Sequence, residues 1–226
     1  MVRHTIILEE ASLELVPKRY WGHESCKTVE TRTGIHPESQ ILDDNFHRKI
    51  ISILSENEKK GRPDIVHFAL LDIISTPAYQ SGLIRPIIRT VNGEVIVIKE
   101  GVRLPRTQLR FEGVMSKLLR NDLGPGEAGL FEFREKQTIG ELIQSLCPSK
   151  VLCLSIEGIF GDLNSIVRNL AKEPDHSYAW IVGGFARGHF SEEVKSLADQ
   201  MISISNYPLA AHVATARLSY EIEKAQ

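Results

Sequence analysis

The chain of 226 residues is long enough for one domain with a sizeable core, or for one domain with an appended lobe. Its hydrophobic content of 42% and charged content of 25% are typical of a globular protein. The net charge of −2 excludes a general electrostatic attraction to nucleic acid or membrane, so any basic surface must be local. The apolar run at 5–8 is too short for a signal peptide or a membrane-spanning segment, so we expect neither.

Cysteine and histidine spacing gives no indication of a metal site. Cys26, Cys147 and Cys153 show no CxxC pairing, which argues against a disulfide framework and against zinc. The eight histidines lack HxxxH and HExxH spacing and are interpreted as solvated or core residues. We therefore expect no bound metal and a cytoplasmic location.

The N-terminal half predicts few regular elements. They are a strand at 4–9, an irregular region at 16–40, a helix from Asp43 or Asp44 to about Ser55, a charged turn at 56–61, and a buried helix from Pro63 that ends before Pro77. Asn92-Gly93, between apolar runs at 86–90 and 94–98, predicts a hairpin with a type I′ turn. A helix at 107–119 follows, and the glycine-rich stretch 121–129 predicts a lobe boundary or mobile loop.

The C-terminal half alternates strands with helices. A capping box at Thr138–Glu141 begins a helix to Leu146. After it come strands at 151–156, 178–182 and 202–205, helices at 163–170 and 191–198, and a final helix from about Pro208. Apolar strands that alternate with helices predict an α/β fold with a parallel sheet covered on both faces.

Each of the last three strands ends in a break, at Glu157-Gly158, at Gly183–Gly188 and at Ser205–Pro208. Three loops at neighbouring strand ends could converge on one small molecule, and glycine lets the backbone approach it. Ordinary strand–helix turns are the alternative. The glycine loop is not GxGxxG, and GxxxxGK[ST] does not occur, which disfavours nicotinamide or flavin enzymes and P-loop nucleotidases.

Four arginines form a second chemical signal: Arg62, Arg103, Arg106 and Arg110. Arg106 and Arg110, four residues apart, are expected on one helix face near its N-terminus, where cations oppose the helix dipole. Arginines beside a helix N-terminus suit a phosphate grip. The alternative is a solvated face with ion pairs to Glu112 or Asp122. Asp64 suits either a first-turn charge or a carboxylate that holds Arg62 toward a nucleotide.

Several motifs in fixed order carry a resemblance to a known family. They are Arg62-Pro-Asp-Ile, Gly82-Leu, Arg103-Leu-Pro-Arg-Thr with Arg110-Phe111, the Gly183–Gly188 loop, and Ile202-Ser-Ile-Ser-Asn-Tyr-Pro-Leu. Together they resemble the ribosome-biogenesis pseudouridine methyltransferases, the Nep/Emg family of the SPOUT class. The likeness runs from His4 to the C-terminal helix, and without a long basic N-terminal extension the chain is similar to the short, archaeal type.

The resemblance implies a SPOUT-type parallel sheet with a C-terminal trefoil knot and an added small α/β lobe. It implies a single domain at 1–226 with a family-specific insertion around 77–105, and a homodimer. It further implies that S-adenosylmethionine is the methyl donor and that the target is N1 of a pseudouridine in small-subunit (16S-type) ribosomal RNA, with a role in small-subunit biogenesis. No membrane partner is expected.

The resemblance also implies roles for individual residues. The cofactor-binding residues are Ser155, Ile156, Gly183, Gly188, Ile202, Ser203, Ile204, Ser205, Asn206, Tyr207 and Leu209. The RNA-binding residues are Arg62, Arg103, Arg106 and Arg110. In the resemblance Asp64 supports Arg62. For the catalytic step we expect Arg62 and Asp64 to act together, with Asp64 either as the base that takes the ring N–H proton or as the group that orients Arg62. The glycine loop departs from the family pattern, in which Ala at the second position and His in place of Arg187 are common.

Two further functions fit the same sequence features. One is an RNA-binding assembly factor in which methylation is secondary, so that the arginines matter and the strand-end loops do not. The other is a SPOUT methyltransferase that acts on a different base.

Overall fold

The computed structural model describes residues 3–124, 129–173 and 175–225. In this part of the chain the strands are β1 (Arg3–Ala11), β2 (Ile84–Thr90), β3 (Val95–Ile98), β4 (Phe131–Arg134), β5 (Lys150–Phe160), β6 (Ser177–Gly183) and β7 (Gln200–Ser203). They form one seven-stranded sheet in the order β4-β3-β2-β1-β6-β5-β7. The pairs β2–β3 and β3–β4 are antiparallel, and the remaining pairs are parallel.

Helices cover both faces of this sheet. They are α1 (Glu24–Thr33), α2 (Asp44–Ile51), α3 (Pro63–Ile74), α4 (Pro77–Gln80), α5 (Gln108–Leu119), α6 (Ile139–Leu146), α7 (Leu163–Leu170), α8 (Glu192–Leu197) and α9 (Ala211–Lys224). Single 3-10 turns lie at Lys18–Tyr20, Pro37–Ser39 and Asn57–Lys59.

Alternation along β1 divides the core into two layers. Ile6 and Leu8 point to one face, where they join the apolar residues of α3, α5, α7 and α9. Ile7 points to the opposite face, where α6 and α8 pack. Consecutive apolar residues are needed on such a strand because both of its faces are buried. The predicted α/β fold with a doubly covered sheet is thus confirmed, but the sheet is mixed, because β3 pairs antiparallel with both of its neighbours.

The prediction of an irregular region at 16–40 was wrong, because α1 lies within it. His23 caps this helix by accepting a hydrogen bond from the Ser25 N–H (3.1 Å), and Gly34 ends it in the left-handed conformation (φ 73°). Only Cys26 and Val29 of α1 are buried. Two buried positions give no clear helical periodicity, although Gly34 was a readable stop signal.

The predicted hairpin exists with a different turn. The Gly93 N–H donates to Thr90 O (2.9 Å), and the Thr90 N–H donates to Glu94 O (2.9 Å). Gly93 has a positive φ of 93°, whereas Asn92 does not, so the type I′ assignment was wrong. β2 begins at Ile84, two residues before the predicted run, and β4 adds a third strand that the sequence did not predict.

The break predicted at Glu157-Gly158 lies inside a strand, because β5 continues to Phe160. The pairing of β5 with β7 shifts register between Leu154 and Ile159, and both residues pair with Ile202. Gly158 makes this possible, since a Cβ there would lie 2.4 Å from the Ile202 backbone nitrogen. The segment 155–158 therefore bulges out of β5 while the strand stays attached to β7 on either side of it.

Several boundaries differ by a few residues from those predicted. α2 ends at Ile51, β7 ends at Ser203, and α9 begins at Ala211. In the stretch predicted to be a boundary or mobile loop, residues 125–128 lie outside the described residues. None of the described helices combines the length and hydrophobicity of a membrane-spanning segment. Among the described residues, no group of three or more His, Cys, Asp or Glu is placed to hold a metal ion.

Candidate functional site

A cavity of about 450 Å³ lies where β5, β6 and β7 end. Ten of the eleven predicted cofactor-binding residues line it: Ser155, Ile156, Gly183, Gly188, Ile202, Ser203, Ile204, Ser205, Tyr207 and Leu209. Asn206 is not among the lining residues. Arg62 and Asp64 also line the cavity, so the structure brings the predicted catalytic pair to the predicted cofactor loops.

The loop after β6 is built onto the end of β1. The Gly184 N–H donates to Glu9 O, and the Ser12 N–H donates to Gly184 O, both at 2.8 Å. A Cβ on Gly184 would lie 2.8 Å from Ala11, so glycine is required for this close approach. At Gly183 a Cβ would lie 3.0 Å from the Phe185 ring, which folds back over the glycine and lines the cavity.

The bulge of β5 contacts the segment after β6 and the helix α8 through the Glu157 side chain. The Glu157 carboxylate pairs with His189 Nδ1 (3.2 Å) and with Lys195 Nζ (3.4 Å) on α8. Its backbone N–H is held by Ser155 Oγ at 3.2 Å. These side chains are partly exposed, so the pairs add little stability, but they link two of the three walls of the cavity.

The third wall is the connection from β7 to α9. Ser203 Oγ donates to Ser205 O (2.8 Å), and the Tyr207 N–H donates to Ser205 Oγ (3.1 Å). α9 begins without a side-chain cap, and its first residues, Ala211 and His212, line the cavity. Uncapped N–H groups and the helix dipole favour an acceptor or an anionic group at this end of the cavity.

Arg62 and Asp64 form a bidentate ion pair at the start of α3. Arg62 Nε and Nη2 donate to the two Asp64 oxygens at 2.8 and 2.7 Å, and the Arg62 N–H donates to Ser12 Oγ at 2.7 Å. The hydrogen bond from Asp64 raises the pKa of Arg62 above its usual value. Because both carboxylate oxygens are occupied, the geometry favours Asp64 as the group that orients Arg62.

Arg103, Arg106 and Arg110 are exposed and do not line the cavity. Arg106 precedes Thr107, the N-cap of α5, so the expectation that it shares a helix face with Arg110 was wrong. The alternative of ion pairs was also wrong: within the described residues Asp122 pairs with Arg120, and Glu112 accepts a hydrogen bond from Gln108.

A buried histidine joins the two groups of arginines. His67, one turn after Asp64 on α3, lies within hydrogen-bond distance of Pro105 O (2.7 Å) through its Nε2. Its ring stacks on Phe111 of α5 with centroids 4.3 Å apart, and burial lowers its pKa. A neutral His67 with a proton on Nε2 donates to Pro105 and so fixes the backbone beside Arg106 against the helix that carries Asp64.

Except for Tyr207, sequence reasoning missed the aromatic part of the cavity. The missed lining residues include Phe68, Phe185, His189, Phe190 and His212. Phe68 lies four residues after Asp64 and is 47% exposed, and its ring meets His212 edge-on at 6.2 Å. The sequence did contain a signal for Phe68: a residue four positions after Asp64 on a helix lies on the same face as Asp64.

A second cavity of about 230 Å³ lies between α1, α2 and α5 and includes Glu112. Burial raises the pKa of Glu112 to about 7, although Gln108 Nε2 donates to it (2.8 Å). Burial also raises the pKa of the neighbouring Asp43. No cation faces this pair of carboxyl groups closely enough to form an ion pair among the described residues, so Glu112 is largely protonated at slightly acid pH.

The larger cavity fits a nucleoside-sized cofactor. Its volume lies in the range of roughly 300–1,000 Å³ that is usual for such sites. Its walls include Leu154, Ile202 and Leu209, which suit an apolar ring, and the backbone at three strand ends offers donors and acceptors. The uncapped start of α9 suits a carboxylate.

Comparison with known proteins agrees with the motif resemblance. The family model described as EMG1/NEP1 methyltransferase matches residues 6–223. "Ribosomal RNA small subunit methyltransferase Nep1" of Staphylothermus marinus is 33% identical over 215 residues, which are 95% of this chain and 92% of that protein. The protein of the same name from Thermococcus sibiricus is 35% identical over 206 residues, 91% of each.

A solved structure is similar over the whole fold. The crystal structure of Archaeoglobus fulgidus Nep1 bound to S-adenosylhomocysteine has a TM-score of 0.84 and 29% identity, and the match covers 100% of this chain and 99% of that one. The family inferred from the motifs is confirmed, and the chain belongs to the EMG1/NEP1 methyltransferase family.

Proposed function

We propose that this chain is an S-adenosylmethionine-dependent methyltransferase of small-subunit ribosomal RNA, that it acts on N1 of a pseudouridine, and that it serves small-subunit biogenesis. The observation that carries the proposal is the cavity at the ends of β5, β6 and β7 with the Arg62–Asp64 pair at its wall. The names of the relatives, and the S-adenosylhomocysteine bound to the solved relative, support the donor and the class of RNA.

The cofactor supplies an activated methyl group, and the residues of the chain position it. Leu154, Ile202 and Leu209 would hold the adenine by apolar contact, while the backbone at 203–205 would offer polar contacts to the nucleoside. The start of α9 attracts the carboxylate of the donor. Transfer would form a bond from the methyl group to N1, break the bond from the methyl group to the donor sulfur, and release the N1 proton to Asp64 or to water. The main requirement for such a displacement is that donor and acceptor atoms are held in line.

The arginines are the proposed RNA contacts. Arg62 reaches the cavity wall, where its free guanidinium N–H groups meet a phosphate or base of the target nucleotide. Arg103, Arg106 and Arg110 hold flanking phosphates, because they are exposed and, within the described residues, unpaired by carboxylates. The target base must be turned out of a single-stranded loop to reach the cavity.

We also propose that the active form is a homodimer. Four exposed apolar residues lie on the C-terminal part of β5 and on the loop after β7: Ile156, Ile159, Phe160 and Tyr207. Ile156 and Tyr207 also line the cavity. A second copy laid on this surface would bury them and narrow the mouth of the cavity.

The trefoil knot and the domain organisation belong to the same proposal. The close approach of β5 and β7, in which Ile202 pairs with both Leu154 and Ile159, is compatible with a knotted chain at this point. We propose one domain at 1–226 with an added small α/β lobe and with a family-specific insertion around 77–105. Its strands β2 and β3 lie in the common sheet.

Methylation of one RNA hairpin in two forms tests the function. The hairpins carry either uridine or pseudouridine at the target position and are otherwise identical. We expect methyl transfer only to pseudouridine, with S-adenosylhomocysteine released. Equal transfer to uridine would support a different target base. RNA binding without detectable cofactor binding by calorimetry at millimolar concentration would support the assembly-factor function instead.

A further inference from the structure

We propose that the buried ion pair of Glu10 and Lys59 is a positioning device for the cofactor loop at 183–188. The inference rests on the proposed function, since it assumes that this loop holds S-adenosylmethionine. It assigns a role in binding to residues that do not line the cavity.

Glu10 lies at a point of β1 where the backbone has an unusual conformation. Its backbone is left-handed (φ 50°), a conformation that costs energy for a residue with a side chain. The bend comes where the pairing of β1 with β2 shifts register between Leu8 and Ala11. The side chain accepts a hydrogen bond from Lys59 Nζ at 2.7 Å, and both side chains are nearly buried.

The same carboxylate reaches the far end of the loop. Glu10 Oε1 accepts a hydrogen bond from the Ser191 N–H at 3.1 Å. Ser191 is the N-cap of α8 and is separated from the loop only by His189 and Phe190. The near end is held by the hydrogen bonds of Gly184 to Glu9 and Ser12. The backbone is thus anchored to the end of β1 on both sides of the cavity wall.

Lys59 connects this anchor to the cavity itself. Its ammonium lies 5.1 Å from the centroid of the Phe185 ring, a cation–π arrangement. The ring also packs against Gly183, whose missing Cβ leaves room for it. The neighbouring Glu58 packs against Gly188, where a Cβ would lie 2.7 Å from Glu58 Oε1. The 3-10 turn at Asn57–Lys59 therefore supports the loop from outside the cavity.

The chain contains its own control. The next residue, Lys60, forms a similar ion pair with Glu14 at 3.0 Å, and these side chains are as buried as those of Lys59 and Glu10. Lys60 has no ring contact of the kind that Lys59 makes with Phe185 in the described structure. A general loss of buried charge would affect both pairs equally, whereas a positioning role distinguishes them.

The test compares Glu10→Gln/Lys59→Met with Glu14→Gln/Lys60→Met. Each double variant removes both charges, so neither leaves a lone buried ion. Calorimetric titration with S-adenosylhomocysteine is the main readout, with the melting temperature and hairpin affinity measured alongside. We expect Glu10→Gln/Lys59→Met to weaken S-adenosylhomocysteine binding about tenfold. The control should change it by no more than about twofold, and RNA affinity should be unchanged in both. Lys59→Arg, which keeps the cation over the ring, should bind within about threefold of wild type.

Equal affinity of the two double variants for S-adenosylhomocysteine would overturn the inference. If the first variant does not fold, Phe185→Leu takes its place, because it removes the ring and keeps the ion pair. Unchanged affinity in that variant would overturn the inference as well. Failure of the wild-type protein to bind S-adenosylhomocysteine would instead refute the proposed function.

Discussion

The Arg62–Asp64 pair places a fixed guanidinium at the wall of a cofactor-sized cavity. Because Asp64 accepts two hydrogen bonds from the guanidinium, it fixes the direction in which the remaining N–H groups of Arg62 point. The side chain of Arg62 is still 45% exposed, so it remains open to a ligand. At the level of single residues, the orientation of the Arg62 guanidinium therefore matters more for binding than its charge.

Asp64→Asn separates the two roles of this carboxylate. We expect RNA affinity to fall by about 1–2 kcal/mol, with a smaller effect on turnover at saturating RNA, because the amide cannot hold both guanidinium nitrogens. Fluorescence anisotropy and single-turnover methylation measure the two effects. Asp44→Asn is the control, since Asp44 makes a similar pair with Arg48 on the surface of α2. Lost turnover at normal RNA affinity would instead make Asp64 the base.

Arg106→Ala tests the second group of arginines. Arg106 is exposed and lies beside Pro105, which His67 holds, so it is presented on a fixed backbone. We expect hairpin binding to weaken by about 1–3 kcal/mol and its salt dependence to decrease. Arg168→Ala, at an exposed arginine on α7, is the matched control. An unchanged affinity for Arg106→Ala would identify it as a solvated residue.

Glu112→Gln tests the pKa of a buried carboxyl group. Because the pKa of Glu112 is raised from 4.5 to about 7, its stabilising contribution is complete below pH 4.5 and is lost as the pH rises through 7. The variant should unfold like wild type at pH 4.5 and be more stable by about 1–2 kcal/mol at pH 8. Burial also raises the pKa of Glu9 to about 7, but Glu9 titrates in both proteins and cancels in the difference. A difference that does not vary with pH would contradict the assignment.

At the level of elements, the cavity depends on how β5 and β7 share one residue. Ile202 pairs with β5 before and after the bulge, and the bulge supplies Ser155 and Ile156 to the cavity. The glycine at 158 allows the two backbones to approach without a side chain between them. The wall and the strand pairing therefore form or fail together.

Gly158→Ala tests this dependence. The added methyl group would lie 2.4 Å from Ile202 N and 2.5 Å from Met201 C, where backbone atoms cannot give way. We expect the free energy of unfolding to fall by about 1–3 kcal/mol or more, as for an overpacked core. Gly113→Ala in α5, with nothing within 4 Å, should stabilise by about 0.5–1 kcal/mol. Urea denaturation measures both, and equal effects would refute the close approach.

The same elements show what a sequence can predict. The start of α6 was found because Thr138 and Glu141 form a local capping box, which the structure contains. α7 and α8 were predicted from the alternation of strands and helices, and in the structure Asp162 and Ser191 cap them. The bulge of β5 was not found, because it exists only through pairing with a strand distant in sequence. The position of the Phe185 ring is likewise set by Lys59, which no local pattern connects to it.

At the level of the whole molecule, an apolar surface beside the cavity is exposed, and the proposed dimer would cover it. A protein with a net charge of −2 has little general repulsion to keep such a surface apart from another copy. Ile159 is 78% exposed there, and Phe160 is 63% exposed. Such exposure beside a functional cavity is typical of an interaction site.

Ile159→Glu tests the proposed dimer. Sedimentation velocity should show a dimer for wild type and a monomer for the variant, because a charge would be buried without a partner. Methylation of the hairpin should be lost with the dimer. Ile53→Glu, at a residue that is 62% exposed after α2, should leave the dimer intact. A wild-type monomer, or a dimer that tolerates Ile159→Glu, would contradict the proposal.

β7 occupies one end of the strand order, where a strand normally separates first from its sheet. Here Ile202 cannot leave until its pairing with both Leu154 and Ile159 opens, and Ser203 also accepts a hydrogen bond from the Gly161 N–H (2.9 Å). Local fraying of β7 therefore requires both of these pairings to break. The floor of the cavity should persist on the timescale of global unfolding, which keeps a preorganised binding surface at the margin of the sheet.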